Sequence, residues 1–322
     1  MNENNYLPWI EKYRPTNFNN IISNDQNITI IKNMLKNGSL PHLLFHGTSG
    51  TGKTSTIMAL VNELYGNNKN LMVLKLDASD DRGINSVREE IKGFAEKQNM
   101  FHKGVKLIIL DEADSMTFDA QFALRRIIEI YSDSTRFCLI CNYENKIIPA
   151  IRSRCANLRF NPINITDIKN TLDNISKKEN LEIIDNSLNI IAYLSNGDLR
   201  KAINLLQSIA MKSTKITPIN CYETAGVPTY NEINLIYEFL KNNKLDFHEI
   251  YDNLNIIIKN NGYSLDIVLK ELTVKILSDK IINNKAHILS DLADLENKIT
   301  KSIFTDIYIS ALIAIFIKNN KN

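Results

Sequence analysis

Gly47-Thr48-Ser49-Gly50-Thr51-Gly52-Lys53-Thr54 fits the spacing G-x-x-x-x-G-K-[ST]. In such a turn the glycines let backbone N–H groups wrap a row of phosphates, and the N-terminus of the following helix adds its positive dipole end. The Lys53 ammonium reaches the outer phosphates, the Thr54 hydroxyl binds magnesium, and Ser55 continues the same turn. Leu107-Ile108-Ile109-Leu110-Asp111-Glu112 is an apolar run that ends in two acids. That order places Asp111 to hold the metal and Glu112 to polarise an attacking water. The competing reading is an acidic turn after a core strand. Asn142 ends a further apolar run, where it would orient the water or the γ-phosphate; Asn as a simple turn-former is the alternative. ATP and Mg2+ are the expected ligands.

This chemistry needs a strand before the loop and a helix after it. Pro41 to His46 is a short apolar run, and Thr54 to Leu64 reads as an unbroken helix. Further strand-like runs at Leu71 to Leu76, Lys106 to Leu110 and Arg136 to Cys141 are separated by helical stretches at Ile84 to Lys97 and Phe118 to Tyr131. Strands alternating with helices predict an α/β fold on a parallel sheet. After Phe160 the pattern turns almost wholly helical, and Gly226 and Pro228 interrupt helical periods on both sides. The expected organisation is a P-loop domain over 1–160, a small helical domain over 161–226 and a C-terminal helical domain over 227–322.

The 322 residues suit two or three domains, and 44% hydrophobic composition excludes a disordered or fibrous chain. A net charge of +2 leaves any nucleic-acid contact to a local patch. The polar, Asn-rich start from Met1 to Tyr6 has no targeting character, which points to a soluble intracellular protein. Ile307 to Ile317, interrupted by Ser310, falls short of the ~20 residues of a bilayer span and reads as a buried helix. No membrane contact is expected. Cys138 and Cys141 form a C-x-x-C inside a strand-like run, where their side chains should diverge; buried free thiols are expected rather than a zinc site.

Several stretches occur in the order seen in one family: Trp9-Ile10-Glu11-Lys12-Tyr13-Arg14-Pro15, the phosphate loop, Asp111-Glu112-Ala113-Asp114 and Ser153-Arg154-Cys155. Asp77 to Gly83, Ala123 to Arg126 and Gly197 to Ala202 support them. The chain resembles the small subunits of replication factor C, clamp loaders of the AAA+ ATPase family. It looks most like the subunit numbered third in yeast and fifth in human, judging from Phe137 to Tyr143 and Lys146 to Ala150. One departure is Thr48-Ser49, where the family usually has two prolines.

The resemblance implies a P-loop AAA+ parallel-sheet domain, a helical lid and an all-helical collar. It implies a heteropentameric ring that opens a sliding clamp and closes it around primer-template DNA. It sets Trp9, Tyr13, Arg14 and Pro15 beside the adenine, makes Arg200 a sensor of the γ-phosphate and sends Arg154 into the neighbouring subunit's site. An arginine in that role is worth about 10³- to 10⁵-fold in rate. The location implied is the nucleus, or a viral replication site for a viral chain. An alternative within the family is a subunit that binds ATP without hydrolysing it. A related ring ATPase acting on Holliday junctions or replication origins is a third reading, disfavoured by the pairing of Trp9 to Pro15 with Ser153 to Cys155.

Arg88 and Lys92 share one face of the Ile84 to Lys97 helix and follow Arg82, a basic track suited to template phosphates. Glu89 and Glu90 would neutralise it if that face is merely solvated. Gln121, Arg125 and Glu129 recur at helical spacing beside Phe118 and Phe122, as a stripe that meets the next subunit or as an ordinary exposed face.

Overall fold

A computed structural model describes residues 7–78, 84–97, 104–242, 245–279, 284–301 and 306–320. In chain order the elements begin with α1 (Trp9–Lys12), α2 (Asp25–Lys36), β1 (His42–His46), α3 (Lys53–Tyr65), α4 (Lys69–Met72) and β2 (Val73–Asp77). Next come α5 (Ile84–Glu96), β3 (Lys106–Asp111), α6 (Phe118–Ile130), β4 (Thr135–Cys141), α7 (Pro149–Arg152) and β5 (Cys155–Arg159). The remainder is α8 (Ile165–Lys178), β6 (Glu182–Ile183), α9 (Ser187–Leu194), α10 (Leu199–Lys212), β7 (Lys215–Ile216) and α11 (Pro218–Ala225), followed by α12 (Tyr230–Lys241), α13 (Phe247–Asn260), α14 (Leu265–Ser278), α15 (Lys285–Ile299) and α16 (Asp306–Asn320).

The chain divides into two compact units, one of Met1–Leu181 with Ile191–Gln207 and one of Glu182–Ile190 with Ser208–Asn322. In the first, five strands pair in parallel in the order β2-β3-β4-β1-β5. Side chains alternate across the sheet, so β3 sends Leu107 and Ile109 to one apolar cluster and Ile108 and Leu110 to the other. The first cluster takes Ile31 of α2 and Ile57 and Leu60 of α3; the second takes Ile91 of α5, Leu124 and Ile128 of α6 and Ile151 of α7. Burial on both faces explains why β3 and β4 read as continuous apolar runs. Each fully buried Leu or Ile here is worth roughly 1.5–3 kcal/mol.

The same alternation settles the C-x-x-C. Cys138 joins the first cluster and Cys141 the second, and both are free and buried. Burial pushes the Cys138 thiol well up and the Cys141 and Cys155 thiols up to about 12. The strand expected from Leu71 starts instead at Val73, because Lys69–Met72 complete a helical turn with Leu71 exposed and Met72 buried. Val73 is the first β-branched residue of that run. At the end of α5 the buried Lys106 donates from Nζ to the Phe94 carbonyl at 2.8 Å and also to that of Lys97, satisfying carbonyls that a helix end leaves open.

The second unit carries the short parallel pair β6 and β7 and a helical bundle built on Ile236, Tyr237, Leu254, Leu272, Leu292 and Leu312. The helix expected at Ile307 to Ile317 is present as α16, with Ile309, Leu312, Ile313 and Phe316 buried. No helix among the described residues is long and apolar enough to cross a membrane.

Candidate nucleotide site

The phosphate loop leaves β1, which lies between β4 and β5, and runs into α3. At Gly47 (φ +144°) a Cβ would stand 2.2 Å from the Phe160 carbonyl oxygen, so only glycine allows the chain to turn there. Gly52, at φ +94°, is the N-cap of α3. The loop is braced internally by the Thr51 hydroxyl, which donates to the Thr48 carbonyl at 2.9 Å.

Lys53 is 7% exposed, and its ammonium donates to the carbonyls of Gly47 (2.7 Å) and Thr48 (2.8 Å) and to Asn142 Oδ1 (3.1 Å). Asn142 stands at the carboxyl end of β4, so two residues chosen separately by motif and by strand end meet in one contact. Burial holds the Lys53 pKa below its ordinary value; Cys141, Asp111 and Asp114 oppose that, and the charge of Arg200 adds to it. Arg200 is exposed in the first turn of α10.

The Thr54 hydroxyl donates to Asp111 Oδ2 at 3.3 Å. A hydroxyl and a carboxylate are the hard oxygen donors that Mg2+ takes. No group of three or more His, Cys, Asp or Glu side chains suited to a metal occurs among the described residues. Two protein oxygens fit an ion that keeps its remaining positions for phosphate and water. Ser55 follows in the first turn of α3. Glu112 is exposed in a left-handed conformation (φ +53°), and its carbonyl accepts from the Ser115 amide at 2.9 Å and hydroxyl at 2.7 Å.

Asp114 was passed over in the sequence reading, yet its Oδ2 accepts from the amides of Asn142 (3.2 Å) and Tyr143 (3.1 Å). It thereby fixes the turn that presents Asn142 to Lys53. The available signal was its place in Asp111-Glu112-Ala113-Asp114, an acid two residues past Glu112 at the same strand end.

The segment from Trp9 to Pro15 is half-buried around Trp9, Tyr13, Arg14 and Pro15. Its ties reach far along the chain: the Trp9 amide donates to Gln207 Oε1 at 3.1 Å, Lys12 pairs with Glu179 at 2.6 Å and the Tyr13 hydroxyl donates to Glu179. Arg14 pairs with Glu11 at 3.1 Å. Burial pushes the Glu179 carboxyl up, but the hydrogen bonds from Lys12 and Tyr13 outweigh it and hold the pKa below the usual carboxylate range.

Arg154 bonds within its own chain, to Glu129 at 2.6 Å and to the Ala150 carbonyl at 2.6 Å, and Arg125 meets the same Glu129 at 3.0 Å. The expected stripe of Gln121, Arg125 and Glu129 is therefore divided. Gln121 is 1% exposed; its amide nitrogen donates to the carbonyls of Met116 (3.2 Å) and Lys146 (3.0 Å), and its oxygen accepts from the Ile148 amide (2.9 Å). A side chain whose donors and acceptor are all satisfied can lie in a core, and this one ties α6 to the approach of α7. Of the basic track, Lys92 is exposed and pairs with Glu96 at 3.7 Å. Arg82 and the side chain of Arg88 lie outside the described residues.

A P-loop on a parallel α/β sheet, with acids at one strand end and an asparagine at the next, defines an AAA nucleotide-binding module. The family model described as "ATPase family associated with various cellular activities (AAA)" matches residues 43–163, and that described as "RCF1/5-like, AAA+ ATPase lid domain" matches residues 170–211. The chain is 44% identical over 317 residues to the probable replication factor C subunit 5 of Dictyostelium discoideum, covering 96% of this chain and 90% of that one. It is 41% identical over 312 residues to the human replication factor C subunit 5 (96% and 91% covered) and 43% identical over 317 residues to subunit 3 of Saccharomyces cerevisiae (95% and 92%). The chain belongs to the replication factor C subunit family. Among solved structures the RuvB Holliday junction branch migration motor of Thermotoga maritima superposes with a TM-score of 0.53 at 16% identity, over 80% of this chain and 91% of that one. At that identity the likeness is one of fold alone.

Proposed function

We propose that this chain is an ATP-hydrolysing subunit of a heteropentameric clamp loader that opens a sliding clamp and sets it on primer-template DNA. The observation that carries the reading is Lys53 held between the loop carbonyls and Asn142, with Thr54 on Asp111 beside it. Membership of the replication factor C family supports assembly with other subunits of that kind; the clamp, the DNA and a site of action in the nucleus, or at a viral replication site for a viral chain, belong to the proposal. The division at 161 and 227 into P-loop, lid and collar domains belongs to the same reading.

Lys53 and the loop amides bind the triphosphate, and Trp9, Tyr13, Arg14 and Pro15 flank the base. Thr54 and Asp111 would hold Mg2+, which neutralises charge on the outer phosphates when bound. Glu112 polarises the attacking water, Asn142 orients it against the γ-phosphate, and Arg200 neutralises charge on the phosphoryl group as it leaves. Arg154 does the same for the adjoining subunit's ATP, exchanging Glu129 for a phosphate. Hydrolysis thus depends on assembly.

A reconstituted ring carrying Glu112→Gln in this chain alone tests the reading by single-turnover hydrolysis. One hydrolysis event should slow by about 100-fold or more, the usual worth of a general base. Arg154→Ala should instead slow the event in the neighbour. An unaltered count with Glu112→Gln would leave this chain as the family's non-hydrolysing alternative. Arg82, Arg88 and Lys92 are proposed to follow template phosphates, so replacing all three with alanine should lower the salt slope of DNA binding by up to about 3, near one unit per lost phosphate contact. An unaltered slope removes them from the interface.

A further inference from the structure

The apex of the phosphate loop is fastened to the start of α10 by contacts that share one carboxylate. The Ser49 hydroxyl donates to Asp198 Oδ2 at 2.5 Å. A Cβ built on Gly50, which sits at φ +64°, would stand 1.7 Å from Asp198 Oδ1, so the carboxylate lies against bare backbone. The Leu199 amide donates to the Gly50 carbonyl at 3.2 Å. The same Asp198 Oδ1 accepts from the Lys201 amide at 3.0 Å, the bond by which an N-cap residue secures the first turn of a helix. Arg200 lies between Asp198 and Lys201. The Asp198 side chain, beside the backbone bond from Leu199 to Gly50, therefore ties the loop apex to the helical turn that carries Arg200.

Ser49 stands at one of the two positions where the family usually has proline, which has no hydroxyl to donate. We propose that Asp198, held by Ser49 and Gly50, is a positioning residue that sets Arg200 toward the γ-phosphate, so that a hydrogen bond touching no nucleotide sharpens the chain's preference for ATP over ADP. The proposal rests on the reading that the Gly47 to Thr54 loop holds a nucleoside triphosphate. A long arginine side chain loses conformational freedom when it engages a phosphate, and anchoring its backbone beforehand lowers that cost. ADP offers Arg200 no γ-phosphate, so the benefit falls on ATP alone.

Titration of the full-length chain with fluorescent analogues of ATP and ADP tests this in Ser49→Ala, Ser49→Thr, Arg200→Ala and the Ser49→Ala/Arg200→Ala pair. Ser49 is exposed, so its replacement leaves the core intact. Ser49→Ala should weaken ATP roughly 5-fold, the scale of one partly exposed hydrogen bond to a charged group, and leave ADP unaltered. Ser49→Thr keeps the hydroxyl and should restore wild-type affinity. In the Arg200→Ala background Ser49→Ala should have no further effect, since the positioned group is gone. Equal loss for both nucleotides, no loss for ATP, or losses that add in the double variant would each overturn the proposal. Lys53→Ala serves as the control for the underlying reading. If it binds ATP as wild type does, the loop reading fails and takes the proposal with it, whereas a failure confined to the Ser49 comparison removes only the proposal.

Discussion

The carboxyl edge of the parallel sheet and the helical bundle of the second unit use polar groups to opposite ends. At the sheet edge a lysine is buried against carbonyls, Gly47, Gly50, Gly52 and Glu112 hold positive φ, and Asp111 and Asp114 accept from a loop hydroxyl and from backbone amides. In the bundle polar side chains close helix ends: Thr229 and Glu232 form a reciprocal cap on α12, and the same Glu232 accepts from the Tyr263 hydroxyl at 3.0 Å. The bundle's buried Tyr237 is satisfied by Asp279 at 2.7 Å, and burial followed by that bond pushes its pKa up. At the sheet edge polar side chains converge on one loop; in the bundle they close helix ends and tie one helix to the next.

The contrast breaks most sharply at Lys53. Lys53→Ala should weaken ATP binding by about 100-fold or more, because it removes a charge-assisted contact from a site shielded from water, and should leave the bundle's unfolding unaltered. Isothermal titration gives the first quantity and thermal denaturation the second. The converse variant is Leu272→Ala, at a position fully buried in the bundle. It should cost about 2–5 kcal/mol of stability to chemical denaturation, from lost transfer energy and the cavity left behind, with no effect on ATP affinity. A large loss of ATP binding from Leu272→Ala would erase the division of labour.

How much of this was readable in the sequence follows the range of the interactions. Residues whose role is set by near neighbours, such as Gly47, Lys53 and Asp111, stand where the motif and the strand periods put them. The cores on the two sheet faces follow from alternation along β3 and β4. Asp198, Glu179 and Gln207 escaped notice because their partners are Ser49, Tyr13 and Trp9, distant in the chain, and no periodicity reports such a pairing. Gln121 misled for a different reason. Spacing assigns it to a helix face but cannot say whether that face meets solvent or backbone groups in need of partners. The bundle was legible only as helical period, because a core built by apolar packing leaves that period and no motif in the sequence.

The smallest expected effect concerns Glu179, which behaves as a bundle-type polar group although it holds the segment assigned to the base. Its pKa lies below the ordinary 4.5, so the stability it gives is present above that value and is lost as pH falls through the folded-state value. Lys12 and Tyr13 both have raised pKa values, the first through its bond to Glu179 and the second through burial and that same residue; both stay protonated through this acid window. Glu179→Gln should therefore flatten the acid limb of stability measured by denaturation below pH 4.5. At neutral pH it should weaken ATP by about 2- to 5-fold, the scale of a partly exposed ion pair and hydrogen bond. Inorganic tripolyphosphate separates the two ways that loss can arise. If Trp9 to Pro15 flank the base, tripolyphosphate should bind the variant as it binds wild type, because it has no base to lose; an equal loss for both ligands would mean that the segment acts on the phosphate loop.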